Sequence, residues 1–253
     1  MSEQAQQPEA REIDIAPNQR FAEVGKTRSG KTRHAMALAS ILVPRESRDW
    51  EAWWIDTKND PKDWKSLAEW GFRVDEKKRD FFGLWKPNKS SPRKLFILSG
   101  GNPHAQSEEI IGNAYRQGGV IVIVDEYVQV VKSAQVAGEE LLNVFQRGGG
   151  RDVGLIGCTQ EPVYVPRQLL SQATHQFLFN VSFPRDIQYL QELYSGYIRP
   201  TRLPIEDSEN WGHTKRSEHL HGFYHVAVDY DGEGHYFQDQ YQWFKTIGER
   251  DRK

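Results

Sequence analysis

The sequence predicts an α/β protein whose sheet is mostly parallel and is covered by helices on both faces. Short apolar runs alternate with segments of helical periodicity along most of the chain. One run, residues 120–124, is apolar throughout, which is typical of a strand buried on both faces. A glycine-rich segment, residues 25–32, lies between an apolar run and a helical one. Together these observations favour a parallel sheet with a ligand loop after its first strand.

The composition allows one large domain. The chain has 253 residues, of which 38% are hydrophobic and 12% aromatic, so a substantial core can form. The net charge of -2 favours neither a nucleic-acid partner nor its absence. No apolar stretch approaches the roughly 18 residues of a membrane-spanning helix. The polar N-terminus and the single cysteine, Cys158, predict a cytoplasmic protein without an internal disulfide.

Three regions are expected along the chain. Residues 1–18 are polar and predict a flexible arm, and residues 19–253 predict a single domain. Within that domain, residues 197–253 are expected to form an extension with a polar loop or lid at 197–218. Two apolar runs, 223–229 and 235–237, flank a turn sequence and predict a C-terminal β-hairpin.

Periodicity and turn residues place the other elements. Expected strands cover 21–24, 52–55, 94–98, 120–124 and 153–158, with a half-buried strand through 177–183. Expected helices cover 31–43, 107–117, 139–146 and 168–173, with a further helix around 187–193. Ser107 is expected to cap its helix, and a polar turn is expected after the strand at 52–55. Cys158 is interpreted as a buried apolar filler in its strand.

Residues 25–32 fit the pattern G-x-x-x-x-G-K-[ST] at every specified position. Such a loop binds phosphate because its glycines let backbone N–H groups point at the oxygens, and because a helix N-terminus follows. Lys31 is expected to contact the β- and γ-phosphates of ATP, and Thr32 to bind Mg²⁺. The residues expected to hold the nucleotide are Gly25, Lys26, Thr27, Arg28, Ser29, Gly30, Lys31 and Thr32.

Two acidic residues, Asp125 and Glu126, directly follow the apolar strand at 120–124. In phosphoryl-transfer sites an acid at this position helps to hold the metal ion, and we expect Asp125 to do so. Glu126 is expected to polarise the attacking water as general base. A kinase has little need of a second acid, because a substrate hydroxyl replaces the water. The pair therefore favours hydrolysis of ATP to ADP and phosphate.

Two further features complete the predicted site. The strand at 153–158 leads to Thr159 and Gln160, and we expect Gln160 above all to contact the γ-phosphate or the attacking water. Arg147 and Arg151 flank a run of three glycines. An arginine placed on the developing charge accelerates phosphoryl transfer greatly. We expect one of them, Arg151 ahead of Arg147, to reach the site of a neighbouring copy.

Two segments resemble elements of the FtsK-HerA superfamily of DNA pumps. The first is Trp54-Ile-Asp-Thr-Lys58, which resembles the Asp-x-Lys element that follows the first helix in that superfamily. The second is Arg151-Asp-Val-Gly-Leu-Ile-Gly-Cys-Thr-Gln-Glu-Pro162, which is similar to its Arg-x-x-Gly…Thr-Gln-x-Pro segment. The resemblance runs from about residue 20 to about residue 195. It is more specific than the phosphate-loop pattern alone.

The resemblance implies a RecA-like core, a hexameric or pentameric ring, and double-stranded DNA threaded through it. Without membrane segments or additional domains, the chain is most similar to the genome-packaging ATPases of tailless double-stranded DNA viruses. It would then hydrolyse ATP to move DNA. Its further partners would be capsid portal or vertex proteins, in the host cytoplasm or at a virion vertex.

The sequence departs from that pattern at Asn59, where the superfamily usually has glycine. It also leaves the DNA-contacting residues open between two basic clusters with tryptophans among them. The first cluster contains Lys58, Lys62 and Lys65, and the second Lys86, Lys89, Arg93 and Lys94. The tryptophans are Trp64, Trp70 and Trp85, for which core packing is the alternative to stacking on bases.

Other functions remain as alternatives. A P-loop ATPase for assembly or export of filamentous phage would be expected to carry a transmembrane helix. A small-molecule kinase would need lid arginines, for which Arg199 and Arg202 are the candidates. A slow nucleotide-dependent switch would tolerate Glu126→Gln. The pair His219 and His221 lacks the cysteines that would support a zinc site, and we predict none there.

Overall fold

The computed structural model describes most of the chain from Ile15 onward. The described residues are 15–75, 78–79, 85–86, 91–98, 102–133, 136–179, 181, 183–194, 223–227 and 235–237. Several expectations therefore lie outside the described residues. They are most of the N-terminal arm, the loop at 197–218, the loop of the C-terminal hairpin, Lys89, Arg199, Arg202, His219 and His221.

Nine of the strands that the structure describes form the central sheet. They are β1 Arg20–Val24, β2 Glu51–Asp56, β3 Arg73–Val74, β6 Arg93–Ile97, β7 Val120–Val124, β8 Val153–Thr159, β9 His175–Phe179, β10 Phe223–Ala227 and β11 His235–Phe237. Their order across the sheet is β11-β10-β9-β1-β8-β7-β2-β6-β3. The seven strands from β9 to β3 are parallel, whereas β10 and β11 add an antiparallel hairpin at one edge. A separate pair joins β4 Lys78–Arg79 to β5 Trp85–Lys86.

Helices cover both faces of the sheet, as predicted. They are α1 Lys31–Leu42, α2 Pro61–Glu69, α3 Pro103–Gln117, α4 Tyr127–Val130, α5 Glu139–Arg147, α6 Arg167–Ser171 and α7 Pro184–Tyr194. Residues of α1 and α2 pack in one apolar cluster, and residues of α3 to α7 pack in another on the opposite face. All five residues of β7 are buried between the two clusters, which explains why this strand is apolar throughout.

Two local expectations were wrong, and one helix was missed. The third helix begins at Pro103 and is capped by the side chain of Asn102, whereas Ser107 is buried within it. The expected polar turn is present at residues 57–60, but it leads into a helix that was not expected, α2, with Asp60 as its cap and Pro61 in its first turn. The strand expected at 177–183 is β9, which is buried along its whole length and ends at Phe179, so that Phe183 is exposed.

Tyr127, which follows the two acids after β7, packs against Gly157 of the neighbouring strand β8. The ring of Tyr127 is fully buried, and its hydroxyl has no hydrogen-bond partner among the described residues. A Cβ atom built on Gly157 would lie 1.7 Å from Cζ of this ring. Only glycine therefore fits at this position of β8, because the ring of Tyr127, the residue that follows Glu126, occupies the space of a side chain.

Gly157→Ala is expected to destabilise the fold by about 3 kcal/mol, because one methyl group overpacks a rigid, buried contact. The matched control is Gly150→Ala, since a Cβ there meets nothing within 4 Å. Chemical denaturation of both variants measures the difference. Equal stabilities for the two variants would contradict the contact between Tyr127 and Gly157.

Two further predictions concern Cys158 and membrane-spanning segments. Cys158 is a free, buried cysteine in β8, as the sequence predicted. In the part of the chain that the structure describes, no helix combines the length and the apolar character needed to cross a bilayer.

Candidate nucleotide site

The predicted site residues, apart from the two arginines, converge at the carboxyl ends of the parallel strands. Strands β1, β8, β7 and β2 are adjacent and parallel, so their carboxyl ends lie side by side. The register pairs Val24 with Thr159 and Val124 with Gly157. The loop after β1, the acids after β7 and the polar end of β8 therefore meet, in the position where open α/β sheets bind ligands.

The loop at residues 25–32 is tied to the sheet and leads into α1. The N–H of Gly25 donates to the carbonyl of Thr159 at 3.1 Å, and the N–H of Ser29 donates to that of Lys26 at 3.2 Å. Gly30 has φ 103°, a conformation that favours glycine, and α1 begins at the next residue. The chain therefore curls into the helix N-terminus as an anion-binding loop requires.

Two side chains in this loop fit a phosphate group. The hydroxyl of Ser29 is buried and has no hydrogen-bond partner among the described residues. The ammonium of Lys31 donates to the carbonyl of Lys26 at 2.9 Å. Burial lowers the pKa of Lys31, against the attraction of anionic groups that include Glu126. A phosphate would give the hydroxyl an acceptor and the ammonium a counter-charge.

Asp125 is almost fully buried and is held by the turn after β2. Its Oδ1 accepts from the N–H of Thr57 at 3.0 Å and from the hydroxyl of Thr57 at 2.7 Å. Nζ of Lys58 lies 3.4 Å from its Oδ2. Burial raises the pKa of Asp125, and Lys58 and Thr57 oppose that rise. Thr57 was not among the predicted site residues, although it lies inside the Asp-x-Lys element.

Glu126 lies beside the end of β8. Its Oε1 accepts from the N–H of Gln160 at 3.3 Å, and the side chain of Thr159 is a second hydrogen-bond partner. Burial raises the pKa of Glu126, and these hydrogen bonds and the charge of Lys31 oppose the rise. The carboxylate is thus held next to both the phosphate loop and the predicted sensor residue.

Gln160 connects this acid to the loop. The hydroxyl of Thr27 donates to Oε1 of Gln160, while the backbone of Gln160 contacts Glu126. One residue therefore contacts both the phosphate loop and the predicted general base. Thr32 lies in the first turn of α1 at the same edge, half-buried. The structure thus brings together the predicted nucleotide residues, both acids and Gln160.

Asn59 stands where the Asp-x-Lys pattern is usually followed by glycine, and the turn after β2 is kept. It has φ 56°, a left-handed conformation that glycine adopts freely and that asparagine tolerates better than most residues. Oδ1 of Asp56 accepts from the N–H groups of Lys58 and Asn59 at 2.9 and 3.1 Å, and its Oδ2 accepts from the indole of Trp64. Asn59 therefore supplies the backbone conformation that the usual glycine would supply.

The two predicted arginines lie at the opposite edge of the sheet. Arg147 ends α5 and Arg151 lies just before β8, both exposed. The guanidinium of Arg151 is 5.8 Å from the ring centre of Tyr115. Since β8 has 7 residues, at about 3.3 Å per residue its ends are about 20 Å apart. Neither arginine reaches the phosphate loop of its own chain.

The basic clusters separate into buried and exposed residues. Arg93 and Lys94 are buried, which excludes them from a DNA surface in this fold. Arg93 donates to the carbonyls of Val43, Trp70 and Ser40, and Lys94 pairs with Glu51. Lys62 and Lys65 are exposed on α2. Trp64 and Trp70 pack against the core, so they are structural rather than stacking residues.

A buried hydrogen-bonded pair beneath the loop was missed from the sequence. Glu23 of β1 and His34 of α1 are both fully buried, with Oε1 and Nδ1 2.9 Å apart. Burial raises the pKa of Glu23, opposed by His34 and Lys31. The pair joins the strand before the phosphate loop to the helix after it. Its signal in the sequence was a charged residue within the apolar run at 21–24.

The fold is that of the RecA-like P-loop ATPases, and comparison with solved structures agrees. B204, the DNA-packaging ATPase from Sulfolobus turreted icosahedral virus, has a TM-score of 0.62 at 15% identity, over 89% of this chain and 99% of B204. The genome-packaging NTPase B204 from Sulfolobus turreted icosahedral virus 2, in complex with AMPPCP, has a TM-score of 0.60 at 14% identity, over 89% of this chain and 100% of that one.

At this identity the comparison establishes the fold. The resemblance to genome-packaging ATPases expected from the sequence is therefore confirmed at the level of architecture. No family model matches the chain. No curated protein sequence matches it either.

Proposed function

We propose that this chain is an ATPase that moves double-stranded DNA, as in packaging of a viral genome into a capsid. The observation that carries the ATPase assignment is the position of Glu126, held by Thr159 and Gln160 beside the phosphate loop. A carboxylate next to the γ-phosphate position accepts a proton from water. A phosphotransferase would instead need an acceptor pocket there.

Each site residue has a distinct role in the proposed hydrolysis of ATP. Lys31 and the loop amides hold the phosphates, while Thr32 and Asp125 would hold Mg²⁺, which would supply positive charge against the phosphate oxygens. Glu126 accepts a proton as the water oxygen bonds to the γ-phosphorus, and the bond to the β–γ bridging oxygen breaks. Gln160 orients the water or the γ-phosphate. Its contact with Thr27 ties that step to the loop.

Two observations support the DNA-moving and ring-forming parts of the proposal. Both B204 structures are of packaging enzymes from viruses, and they share this fold over nearly the whole chain. Arg147 and Arg151 are exposed far from their own site, as a residue that serves a neighbouring copy would be. We therefore propose a homo-oligomeric ring of six or five copies around DNA. Its partners are portal or vertex proteins of a capsid, in the host cytoplasm or at the virion vertex.

The test is ATP hydrolysis by the purified chain with and without double-stranded DNA. We expect DNA to stimulate ATP hydrolysis by the native protein. Lys31→Ala should abolish hydrolysis both with and without DNA, because the loop loses the ammonium group that contacts the phosphates. Lys132→Ala, an exposed lysine outside both basic clusters, is the matched control and should keep turnover. Turnover that ignores DNA but requires a small phosphate acceptor would replace the proposal with a kinase.

The pH dependence of turnover follows from the raised pKa of Glu126. The base acts only when ionised, so kcat/KM, which reports groups of the nucleotide-free enzyme, should fall on acidification with a midpoint above 4.5, the ordinary pKa of glutamate. The folded chain also binds this proton more tightly than the unfolded chain. Ionised Glu126 therefore lowers stability as the pH rises through its folded pKa, and Glu126→Gln should unfold at a higher temperature at neutral pH. A midpoint below 4.5, or a less stable Glu126→Gln, would contradict the burial of this acid.

A further inference from the structure

Lys58 contacts the acid that is proposed to hold the metal ion. Its Nζ lies 3.4 Å from Oδ2 of Asp125, and the two side chains are 31% and 3% exposed. The neighbouring cation of the phosphate loop does not share this contact, because Lys31 donates to the carbonyl of Lys26. Lys58 is therefore the cation directly paired with Asp125 among the described residues.

The two oxygens of Asp125 are used differently. Oδ1 accepts two hydrogen bonds from Thr57, one from its N–H and one from its hydroxyl. Both donors belong to Thr57 in the turn, so Oδ1 is already occupied by hydrogen bonds that hold the turn against Asp125. Oδ2 is paired with Lys58. A divalent cation or its bound water can therefore approach Asp125 most readily at Oδ2, where the ammonium now lies.

The turn fixes the backbone of Lys58 and leaves its ammonium able to withdraw. Oδ1 of Asp56 accepts from the N–H of Lys58, and the left-handed Asn59 follows. The lysine side chain is a flexible stem that ends in a compact charge. Since it is 31% exposed, it has a solvated path away from the carboxylate. Asp125, by contrast, is buried and bound on its other oxygen.

The burial of Asp125 makes a positive neighbour favourable. An ionised carboxylate without a partner is strongly disfavoured in a buried position, and a neighbouring positive charge reduces that cost. Before a metal ion is bound, the pairing with Lys58 fulfils that need. After a metal ion is bound, a second positive charge at the same oxygen would be repelled. The two cations are therefore alternatives at Oδ2.

We propose that Lys58 is an internal counter-ion that takes the place of the divalent cation at Asp125, and that it withdraws from Oδ2 when Mg²⁺ arrives with ATP. Asp125 thus keeps a cationic partner and its position between turnovers, and a free divalent cation binds poorly without the nucleotide phosphates. This inference rests on the proposed function only in taking Asp125 as the metal-binding acid. It assigns to the Asp-x-Lys lysine a role in the nucleotide site, in place of the DNA contact considered from the sequence.

The test measures Mn²⁺ binding in the absence of nucleotide and DNA, by the loss of the electron paramagnetic resonance signal of free Mn²⁺. Three substitutions separate charge from hydrogen bonding. Lys58→Met removes both, Lys58→Gln keeps a donor without the charge, and Lys58→Arg keeps the charge. We expect Lys58→Met and Lys58→Gln to bind Mn²⁺ roughly tenfold more tightly than the native chain, a usual size for coupling between two bound groups. Lys58→Arg and the exposed control Lys62→Met should resemble the native chain.

Each contrary outcome overturns the proposal. Unchanged Mn²⁺ affinity in Lys58→Gln, shown by circular dichroism to be folded, would mean that Lys58 does not compete with the cation. A gain in Lys58→Arg as large as that in Lys58→Gln would mean that charge is not the reason. A gain that survives addition of Asp125→Asn would place the cation elsewhere. Because no step uses ATP hydrolysis, a chain without ATPase activity that still shows the expected pattern would contradict the proposed function and leave this inference intact.

Discussion

Glu126→Gln is expected to lower kcat for ATP hydrolysis by about 10²–10⁴-fold, the usual contribution of a positioned general base. Glutamine keeps the size of the side chain and an oxygen that accepts from the N–H of Gln160, but it cannot take up a proton. Nucleotide binding should remain, because the loop, Lys31 and Asp125 are unchanged. The variant should therefore retain ATP without turning it over.

Single-turnover hydrolysis and equilibrium binding of ATP measure the two parts of this prediction separately. Glu139→Gln is the matched control, since this exposed acid lies in the first turn of α5. It should leave both quantities near their native values. A loss of less than about tenfold in Glu126→Gln would mean that another group activates the water. A loss of ATP binding would mean that the acid is structural.

Arg151→Ala is expected to lower kcat by about 10³-fold or more, with little change in ATP affinity, because an arginine finger acts on the transition state. The reason for expecting action on a neighbour is the position of Arg151 at the edge of the sheet opposite to its own phosphate loop. Arg147→Ala should have a smaller effect. Arg116→Ala, an exposed arginine at the end of α3, is the matched control and should leave kcat unchanged.

Mixing two inactive variants tests whether the arginine acts between copies. Lys31→Ala lacks a working site but keeps its arginines, whereas Arg151→Ala keeps its site but lacks the finger. Mixed assemblies should regain turnover that neither variant has alone. Full turnover in Arg151→Ala would contradict a finger supplied by Arg151. So would a lack of recovery in assemblies that are shown to be mixed by co-purification of two differently tagged variants.

The central sheet could be predicted because its strands carry strong local signals. The run at Val120–Val124 is apolar because both faces are buried, and the glycine-lysine loop requires a strand before it and a helix after it. The convergence of the loop with Asp125 and Gln160 then follows from parallel strand order. The acids and Gln160 were predictable for that reason.

The errors arose where local signals were weak or were overridden by packing. The helix α2 had a readable start in Asp60 and Pro61, but it is short, and Leu67 is its only fully buried residue. Ser107 is a good cap by type, yet α3 begins earlier because Asn102 and Pro103 provide a better start. Phe183 continues the alternation of β9 in sequence, but the chain has already left the sheet.

Contacts between distant segments could not be predicted. Glu108 of α3 accepts from the N–H groups of Glu140 and Leu141, and so caps α5 from another helix. The pairs Glu23–His34 and Lys58–Asp125 likewise depend on which helix or turn lies against which strand. Periodicity gives the face of each element but not its partner. For this reason Lys58 was considered as a DNA contact, whereas the fold places it against Asp125.

The most direct measurement of the central claim is displacement of a third strand from a DNA triplex placed on a long duplex. A chain that moves along double-stranded DNA at the expense of ATP should release the third strand with ATP and Mg²⁺. It should not do so with a non-hydrolysable analogue or with Glu126→Gln. If DNA stimulates hydrolysis in the native protein but the triplex remains intact, DNA binds to this ATPase without being moved, and the account is wrong.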